Sequence, residues 1–142
     1  MLELLAPAGN LDAVIAAVQN GADAVYMGFG DGFNARRSAD NFTRESFAKA
    51  VRYCHIRGCK VYVTLNTLVG DREMDAAAAL AQQASDAGAD AILVQDLGLA
   101  RVLRAALPDI PLHASTQMSI HNLAGVEAAA ELGITRAVLA RE

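Results

Sequence analysis

The sequence has no tryptophan, only two cysteines and no long apolar run. Cys54 and Cys59 are too few for a disulfide framework or a thiolate metal site, and we expect both to be small buried thiols. No uninterrupted apolar run approaches the roughly 18 residues of a membrane-spanning helix, and the amino terminus has no basic segment before an apolar one. We therefore expect a soluble, cytoplasmic protein with no membrane partner.

The charge balance is slightly acidic. Twelve Lys and Arg residues stand against sixteen Asp and Glu residues, giving a formal net charge of −4, and there is no run of five basic residues. Because strong binding of a phosphate backbone needs clustered cations, the composition alone predicts weak nucleic-acid binding. Hydrophobic residues make up 54% of the chain, which is enough for the core of one ordinary domain.

One sequence unit recurs along the chain: a helix-like stretch, a glycine, then a β-rich run. The unit is visible in NGADAVYMG, RGCKVYVTLN, AGADAILVQD and LGITRAVLARE. It predicts strands near residues 2–6, 23–28, 60–66, 90–95, 111–117 and 135–140, with helices near 10–20, 43–57, 71–87, 97–107 and 122–132. The predicted helix N-caps are Asn10, Thr43, Asp71 and Asn122.

Strands that alternate with helices predict a parallel sheet, either a (β/α)₈ barrel or an open doubly wound sheet. In KVYVTLN, Val61, Val63 and Leu65 share one face, whereas the other face is partly polar. An open sheet between two helix layers should be apolar on both faces, whereas a barrel interior can carry polar groups, and Glu3 fits there too. The pattern favours a parallel α/β fold in which residues 1–142 form a single partial domain, the first six strands of a truncated TIM-type (β/α)₈ barrel.

The stretch LHASTQ is the most unusual strand candidate. If it is extended, His113, Ser115 and Gln117 share a polar face, because side chains alternate along a strand. His113 is a candidate general base, although a strand histidine is more often a hydrogen-bonded core residue. A hydrolytic Ser115–His113 pair is a weaker alternative, since G-x-S-x-G is absent and neighbours on one strand are poorly placed for activation.

Catalytic groups of such barrels gather at the carboxyl ends of the strands. We predict His113, Asn66 and Gln117 as catalytic residues. We predict that substrate is bound by Asn34, Arg36, Gln95, Asp96, Ser115, Arg141 and Glu142. Arginine suits an anionic substrate because its guanidinium binds carboxylate or phosphate through two hydrogen bonds, although a solvated loop arginine is an equal alternative. We predict no metal ligands.

Several motifs together resemble the collagenase-like peptidase family U32. They are ELLAPAGN, NGADAVYMG, FNARRSADNFT, KVYVTLNT, ADAILVQDLG, LHASTQMS and VLARE, which run through all six predicted strands in order. The resemblance implies a barrel-type N-terminal domain followed by a cysteine-bearing region that is absent from this chain. It is closest to members linked to hydroxylation of RNA bases.

The resemblance also implies a function and its partners. Family members carry a peptidase name, and several are implicated in hydroxylating bases of ribosomal or transfer RNA, with prephenate as a linked metabolite; others hold an iron–sulfur cluster through downstream cysteines. We therefore expect an RNA-modification enzyme that uses a small anionic metabolite, with no cofactor held by this chain. The alternatives are a collagenase-like peptidase and a non-catalytic metabolite-binding scaffold. We expect the fragment to be inactive alone, because it cannot complete the active site. Its open sheet edges predict that it forms a homo-oligomer.

Overall fold

The computed structural model describes residues 2–35 and 41–141. The strands in these ranges are Leu5–Pro7 (β1), Ala24–Gly28 (β2), Lys60–Leu65 (β3), Ala91–Val94 (β4), Leu112–Ala114 (β5) and Ile134–Ala137 (β6). The α-helices are Leu11–Gln19 (α1), Arg44–His55 (α2), Met74–Asp86 (α3), Leu97–Ala106 (α4) and Leu123–Glu131 (α5), and a 3₁₀ turn covers Thr116–Met118. No helix within the described ranges is long and apolar enough to cross a bilayer.

All of these strands pair in parallel, in the order β1 to β6. Each strand is followed by a helix or a turn that returns the chain to the amino end of the next strand, as parallel pairing requires. Gly21 and Gly58 close two of these returns with φ of 90° and 71°, a conformation that costs glycine little. The predicted parallel β/α architecture of the first six strands of a TIM-type barrel is confirmed.

Helix starts follow the cap prediction at three of four positions. Asn10, Thr43 and Asn122 accept hydrogen bonds from backbone N–H groups of the first helical turn. The prediction of Asp71 was wrong, because α3 begins three residues later and no side chain caps it. Glu73 instead accepts a hydrogen bond from the Gly70 N–H at 2.9 Å and closes the turn before the helix.

The two faces of the sheet bury different kinds of residue. On the outer face, Val61 and Val63 pack with Phe47 of α2, and Leu65 packs in a second cluster with Leu99 of α4. The inner face has a smaller cluster formed by Ala24, Tyr62, Ala91 and Leu93, against which Leu5 and Tyr26 pack. The split predicted from KVYVTLN is therefore confirmed, since Tyr62 and the outward valines lie on opposite faces.

Strand β5 is shorter than predicted. The extended segment ends at Ala114, and Ser115 becomes the N-cap of the 3₁₀ turn by accepting a hydrogen bond from the Gln117 N–H. The prediction of a strand through residue 117 was wrong because this serine caps the turn, which competes with extension of the strand. His113 and Gln117 therefore do not share the face of one strand.

A charged cluster closes the amino-terminal end of the barrel interior, hereafter the floor. The Glu3 carboxylate accepts hydrogen bonds from the Tyr62 hydroxyl at 2.9 Å and from the Arg136 guanidinium, and Lys60 lies 3.4 Å away. Arg136 lies on β6 and Glu3 just before β1, so the bond joins the two edges of the sheet. The Arg136 hydrogen bond is the main cause that holds the pKa of Glu3 down, to about 2.

We predict that Glu3→Gln lowers the free energy of unfolding by about 1–2 kcal/mol at pH 7, because Arg136 and Tyr62 lose a charged partner. The pKa of Glu3 is lowered on folding, so its contribution is complete above pH 4.5 and disappears as the pH falls toward 2. Urea unfolding at several pH values measures both effects. The control Glu45→Gln removes an exposed ion pair with Lys49 and should leave stability nearly unchanged. Equal losses in both variants would contradict the prediction.

Candidate functional site at the barrel mouth

A cavity of about 240 Å³ opens at the carboxyl ends of the strands, hereafter the mouth. The residues that line it come from strands β1 to β4 and from the segments that follow β2, β3, β5 and β6: Leu5, Tyr26, Ala35, Thr64, Asn66, Leu93, Ser115, Thr116, Gln117 and Val138. Three predicted site residues, Asn66, Ser115 and Gln117, therefore meet in one cavity although they are distant in sequence. This is the position at which barrel enzymes place their chemistry.

A chain of hydrogen bonds crosses this cavity. The Asn66 Oδ1 atom accepts from the Ala35 N–H at 3.1 Å, and Asn66 Nδ2 donates to Ser115 Oγ at 3.3 Å. Ser115 Oγ also accepts from the Gln117 N–H at 3.3 Å. Asn66 thereby fixes the segment after β2 to the segment after β5. The Gln117 side chain is exposed and makes no hydrogen bond within the described ranges, so it remains available to a ligand.

Two asparagines lie directly over the end of β2. Asn34 Nδ2 donates to Asn41 Oδ1 at 3.0 Å, and both side chains line a smaller cavity of about 70 Å³. Tyr26, Thr64 and Asn66 line this cavity as well as the mouth cavity, so the two spaces share a wall. The asparagine pair requires glycine beneath it. A Cβ atom on Gly28 would lie 2.0 Å from Asn41 Oδ1 and 2.3 Å from Asn34 Nδ2.

The structure places His113 apart from the other predicted catalytic residues. Its ring packs edge-on against Tyr62, with ring centroids 4.9 Å apart, and it lines a floor cavity of about 350 Å³ with Lys60 and Arg136. Burial, reinforced by the charge of Arg136, lowers the pKa of His113 to about 4. A histidine that stays neutral at pH 7 among core residues is a poor proton carrier. The catalytic assignment of His113 remains a prediction, and this environment supports the core alternative.

The remaining predicted residues lie elsewhere. Asp96 caps α4 by accepting from the Leu99 N–H at 2.8 Å, and its second oxygen accepts from the Val69 N–H at 3.3 Å. Gln95 is a half-buried residue directly after β4, and Arg141 is exposed near the end of the described chain. Substrate binding by these three residues remains a prediction. Arg36 and Glu142 lie outside the described residues.

Four polar residues that line the cavities were not predicted from the sequence as site residues: Tyr26, Thr64, Asn41 and Thr116. Tyr26 pairs with Tyr62 in the register of β2 and β3. Two residues further along β3, Thr64 lies on the inner face and donates to the Met27 carbonyl at 3.2 Å. Side chains alternate between the two faces of a strand, and this pattern in β2 and β3 could have identified Tyr26 and Thr64 as inward-facing residues. Asn41 follows a long loop, where no periodic signal applies.

The cysteines do not fit the iron–sulfur cluster that the family resemblance implies for longer members. Cys54 and Cys59 are buried where α2 ends and β3 begins, which is the end of the barrel opposite the mouth. Burial raises the pKa of Cys54 to about 12, so the metal-binding thiolate form is disfavoured. Within residues 2–35 and 41–141, no group of three or more His, Cys, Asp or Glu side chains could hold a metal.

The described lining of the mouth carries amides, hydroxyls and apolar groups but no charged side chain. The side-chain amides of Asn66 and Gln117 can both donate and accept hydrogen bonds, and Tyr26 contributes an aromatic ring. Such a lining suits a neutral, partly apolar ligand with hydrogen-bonding edges. Ser115 Oγ accepts hydrogen bonds from Asn66 Nδ2 and from the Gln117 N–H and has no histidine beside it within the described ranges, so this serine is not activated as a nucleophile.

A family model described as peptidase family U32 matches residues 9–142. The chain is 42% identical over 141 residues to the 23S rRNA 5-hydroxycytidine C2501 synthase of Escherichia coli, covering 99% of this chain and 21% of that protein. It is 41% identical to the tRNA hydroxylation protein P1 of Bacillus subtilis, covering 99% and 33%. It is 36% identical to the collagenase of Porphyromonas gingivalis, covering 84% and 28%. The chain thus spans between about a fifth and a third of these relatives.

Solved structures show the same fold. A U32 peptidase superposes with a TM-score of 0.77 at 16% identity, covering 98% of this chain and 58% of that chain. A phosphonopyruvate hydrolase superposes with a TM-score of 0.63 at 19% identity, covering 98% and 54%. At these identities the likeness establishes the architecture alone.

We predict that Gly28→Ala destabilises the protein by about 1–3 kcal/mol, because the new Cβ overlaps the asparagine pair and forces it away from the strand. Urea unfolding measures the loss. Gly9→Ala is the matched control, since Gly9 lines the same small cavity but has nothing within 4 Å of its Cβ position. Unchanged stability of Gly28→Ala would show that the pair moves freely.

Proposed function

Because the chain belongs to peptidase family U32, we propose that it forms the barrel of an enzyme that hydroxylates a base in ribosomal or transfer RNA. On this proposal residues 1–142 are the N-terminal part of that enzyme, which acts in the cytoplasm. The relatives named for rRNA and tRNA hydroxylation support the reaction class. The observation on this chain that carries the proposal is that the lining of the mouth, as far as its residues are described, is uncharged.

A nucleobase has the chemistry that this lining favours. It is neutral and planar, and enzymes that modify a base commonly rotate it out of the stack into a pocket. In such a pocket, Tyr26 would supply an aromatic surface, while Gln117 and Asn66 would supply amides for the edge of the base. The side chain of Gln117 makes no other hydrogen bond in the described ranges, so it is the candidate for direct recognition. Asn66 would position the walls through its two bonds.

A small anionic metabolite such as prephenate requires a cation that the described lining lacks. We propose Arg36 for this role, because it belongs to the segment that joins β2 to α2 in the sequence and its guanidinium suits a carboxylate. An iron–sulfur cluster would need cysteines beyond Cys54 and Cys59.

Peptidase activity is the second candidate function, and the relative named collagenase favours it. Peptidase activity requires an activated nucleophile. In this chain, Ser115 Oγ accepts hydrogen bonds from Asn66 and Gln117 and has no base beside it. A non-catalytic metabolite-binding scaffold is the third candidate. Cleavage of casein or gelatin that is lost on mutation of a named serine would favour the peptidase.

The proposal is tested by deleting the gene that encodes this chain and comparing digested ribosomal and transfer RNA by nucleoside mass spectrometry. We expect one hydroxylated nucleoside to disappear and to return when the gene is restored. Identical nucleoside profiles in the deletion strain and its parent would refute RNA hydroxylation.

We predict that Gln117→Ala, introduced into the restored gene, abolishes the hydroxylated nucleoside while the melting temperature hardly changes, because its exposed side chain serves only the ligand. Asn66→Ala should also abolish modification, but it should lower stability by about 1 kcal/mol, since the Ala35 N–H loses its acceptor. Gln83→Ala, an exposed glutamine on α3, is the control and should retain activity. Full activity of Gln117→Ala would show that this exposed side chain does not bind the ligand.

We also propose that the 142-residue chain self-associates when it is produced alone. Strands β1 and β6 are the edges of the described sheet, and the nearby Leu2, Leu4 and Leu139 are 97%, 56% and 55% exposed. Unpaired edges with exposed apolar side chains recruit another chain. Light scattering at tens of micromolar, about the range in which such surfaces associate, should show a dimer or larger species. A monomer would contradict this proposal.

A further inference from the structure

The cations of this acidic chain are distributed unevenly. Seven of the twelve Lys and Arg residues, but only two of the sixteen acidic residues, fall within residues 36–60. This segment therefore carries a net charge of +5, while the rest of the chain carries −9. The segment runs from the loop before α2 to the start of β3, so one helix and its flanks concentrate the positive charge.

Helix α2 presents three of these cations on its exposed face. Arg44, Lys49 and Arg52 are exposed, whereas the opposite face buries Phe47 and other apolar residues against the sheet. Lys49 forms an ion pair with Glu45 at 2.7 Å. Arg44 and Arg52 have no hydrogen-bond or ion-pair partner in the part of the chain that the structure describes. Two guanidinium groups are therefore free to bind an external anion.

The other described helices lack such a face. The charged residues of α3 are Asp75 and Asp86, and those of α5 are Glu127 and Glu131. Helix α4 has two arginines, but Arg104 is half-buried and donates to the carbonyls that follow its own helix. That leaves Arg101 as the exposed cation of α4.

The basic face begins beside the mouth. Asn41 lines the smaller cavity, and the Phe42 N–H donates to the Gly28 carbonyl at 2.9 Å, so the start of α2 is attached to the end of β2. Arg44 is the first residue of the helix. Twelve helical residues extend over roughly 18 Å, which places Arg52 more than two turns further along the outer wall.

We propose that the exposed face of α2, through Arg44 and Arg52, binds the phosphate backbone of the RNA whose base enters the mouth. This inference rests on the proposed function and adds to it the path that the RNA takes along the protein surface. Arginine binds phosphate oxygens through two parallel hydrogen bonds, and such contacts fix the register of a nucleic acid without reading its sequence. The path explains how a chain of net charge −4 binds a polyanion.

A membrane surface is the competing source of phosphate groups. A helix that lies on a bilayer inserts its apolar face into the lipid. The apolar face of α2 is instead buried in the barrel, where Phe47 and Ala50 are fully inaccessible. The observations therefore favour RNA.

The test uses the protein produced from its complete gene, with fluorescence anisotropy of a labelled single-stranded RNA at several salt concentrations. We expect R44Q/R52Q to weaken binding about tenfold near 0.1 M salt and to reduce the slope of log K against log salt by about 1.4, two cations at about 0.7 each. The control R101Q, on α4, should retain both values. Both variants change exposed side chains, and circular dichroism checks their folding.

Wild-type affinity and slope in R44Q/R52Q would overturn the inference, as would an equal loss in R101Q. Binding of the wild type to phosphatidylglycerol vesicles but not to RNA would also overturn it and assign the face to a membrane. The gene-deletion experiment separates this inference from the proposed function. If the hydroxylated nucleoside depends on the gene while R44Q/R52Q binds normally, only the path along α2 fails; if the nucleoside is independent of the gene, the proposed function itself fails.

Discussion

The carboxylate of Glu3 joins parts of the barrel that the sheet does not pair. It binds Arg136 on β6 and Tyr62 on β3, although Glu3 itself precedes β1. Because the hydrogen bonds of the sheet run only between neighbouring strands, this contact across the interior is a direct connection between its two edges. The charges needed for it are gathered at the floor, where burial, reinforced by the charge of Arg136, lowers the pKa of His113. Among the described residues, the floor is the charged end of the barrel interior, and the mouth, whose described lining carries no charged side chain, is the neutral end.

The neutral end is held in shape by amides rather than by ions. Asn66 connects the segment after β2 to Ser115, and the pair of Asn34 and Asn41 rests on Gly28, where any side chain would overlap it. Each of these contacts supports the wall of a cavity that suits a neutral ring with polar edges. Outside the mouth, α2 carries exposed cations that the described lining of the cavity lacks. On the proposed function, recognition of a base and attraction of its backbone would fall to different surfaces.

Most of the fold could be predicted from the sequence because each β/α unit carries local signals. Strand alternation in KVYVTLN and the caps Asn10, Thr43 and Asn122 act within a few residues. The errors in element boundaries arose where a side chain stabilised a turn next to the predicted strand or helix. Ser115 ended β5 by capping a turn, and α3 began after Asp71 because Glu73 closed the preceding turn. The site was harder to predict, since the placement of His113 at the floor depends on contacts with Tyr62 from another strand.

The central claim is that the mouth receives a base of RNA. Photo-crosslinking tests it most directly: the protein from the complete gene is bound to RNA that carries a photoreactive pyrimidine at the modified position, irradiated, and digested for mass spectrometry. The account predicts crosslinked peptides that contain Tyr26 or Gln117. Crosslinks confined to the floor, on peptides that contain Lys60 or Thr135, would contradict it.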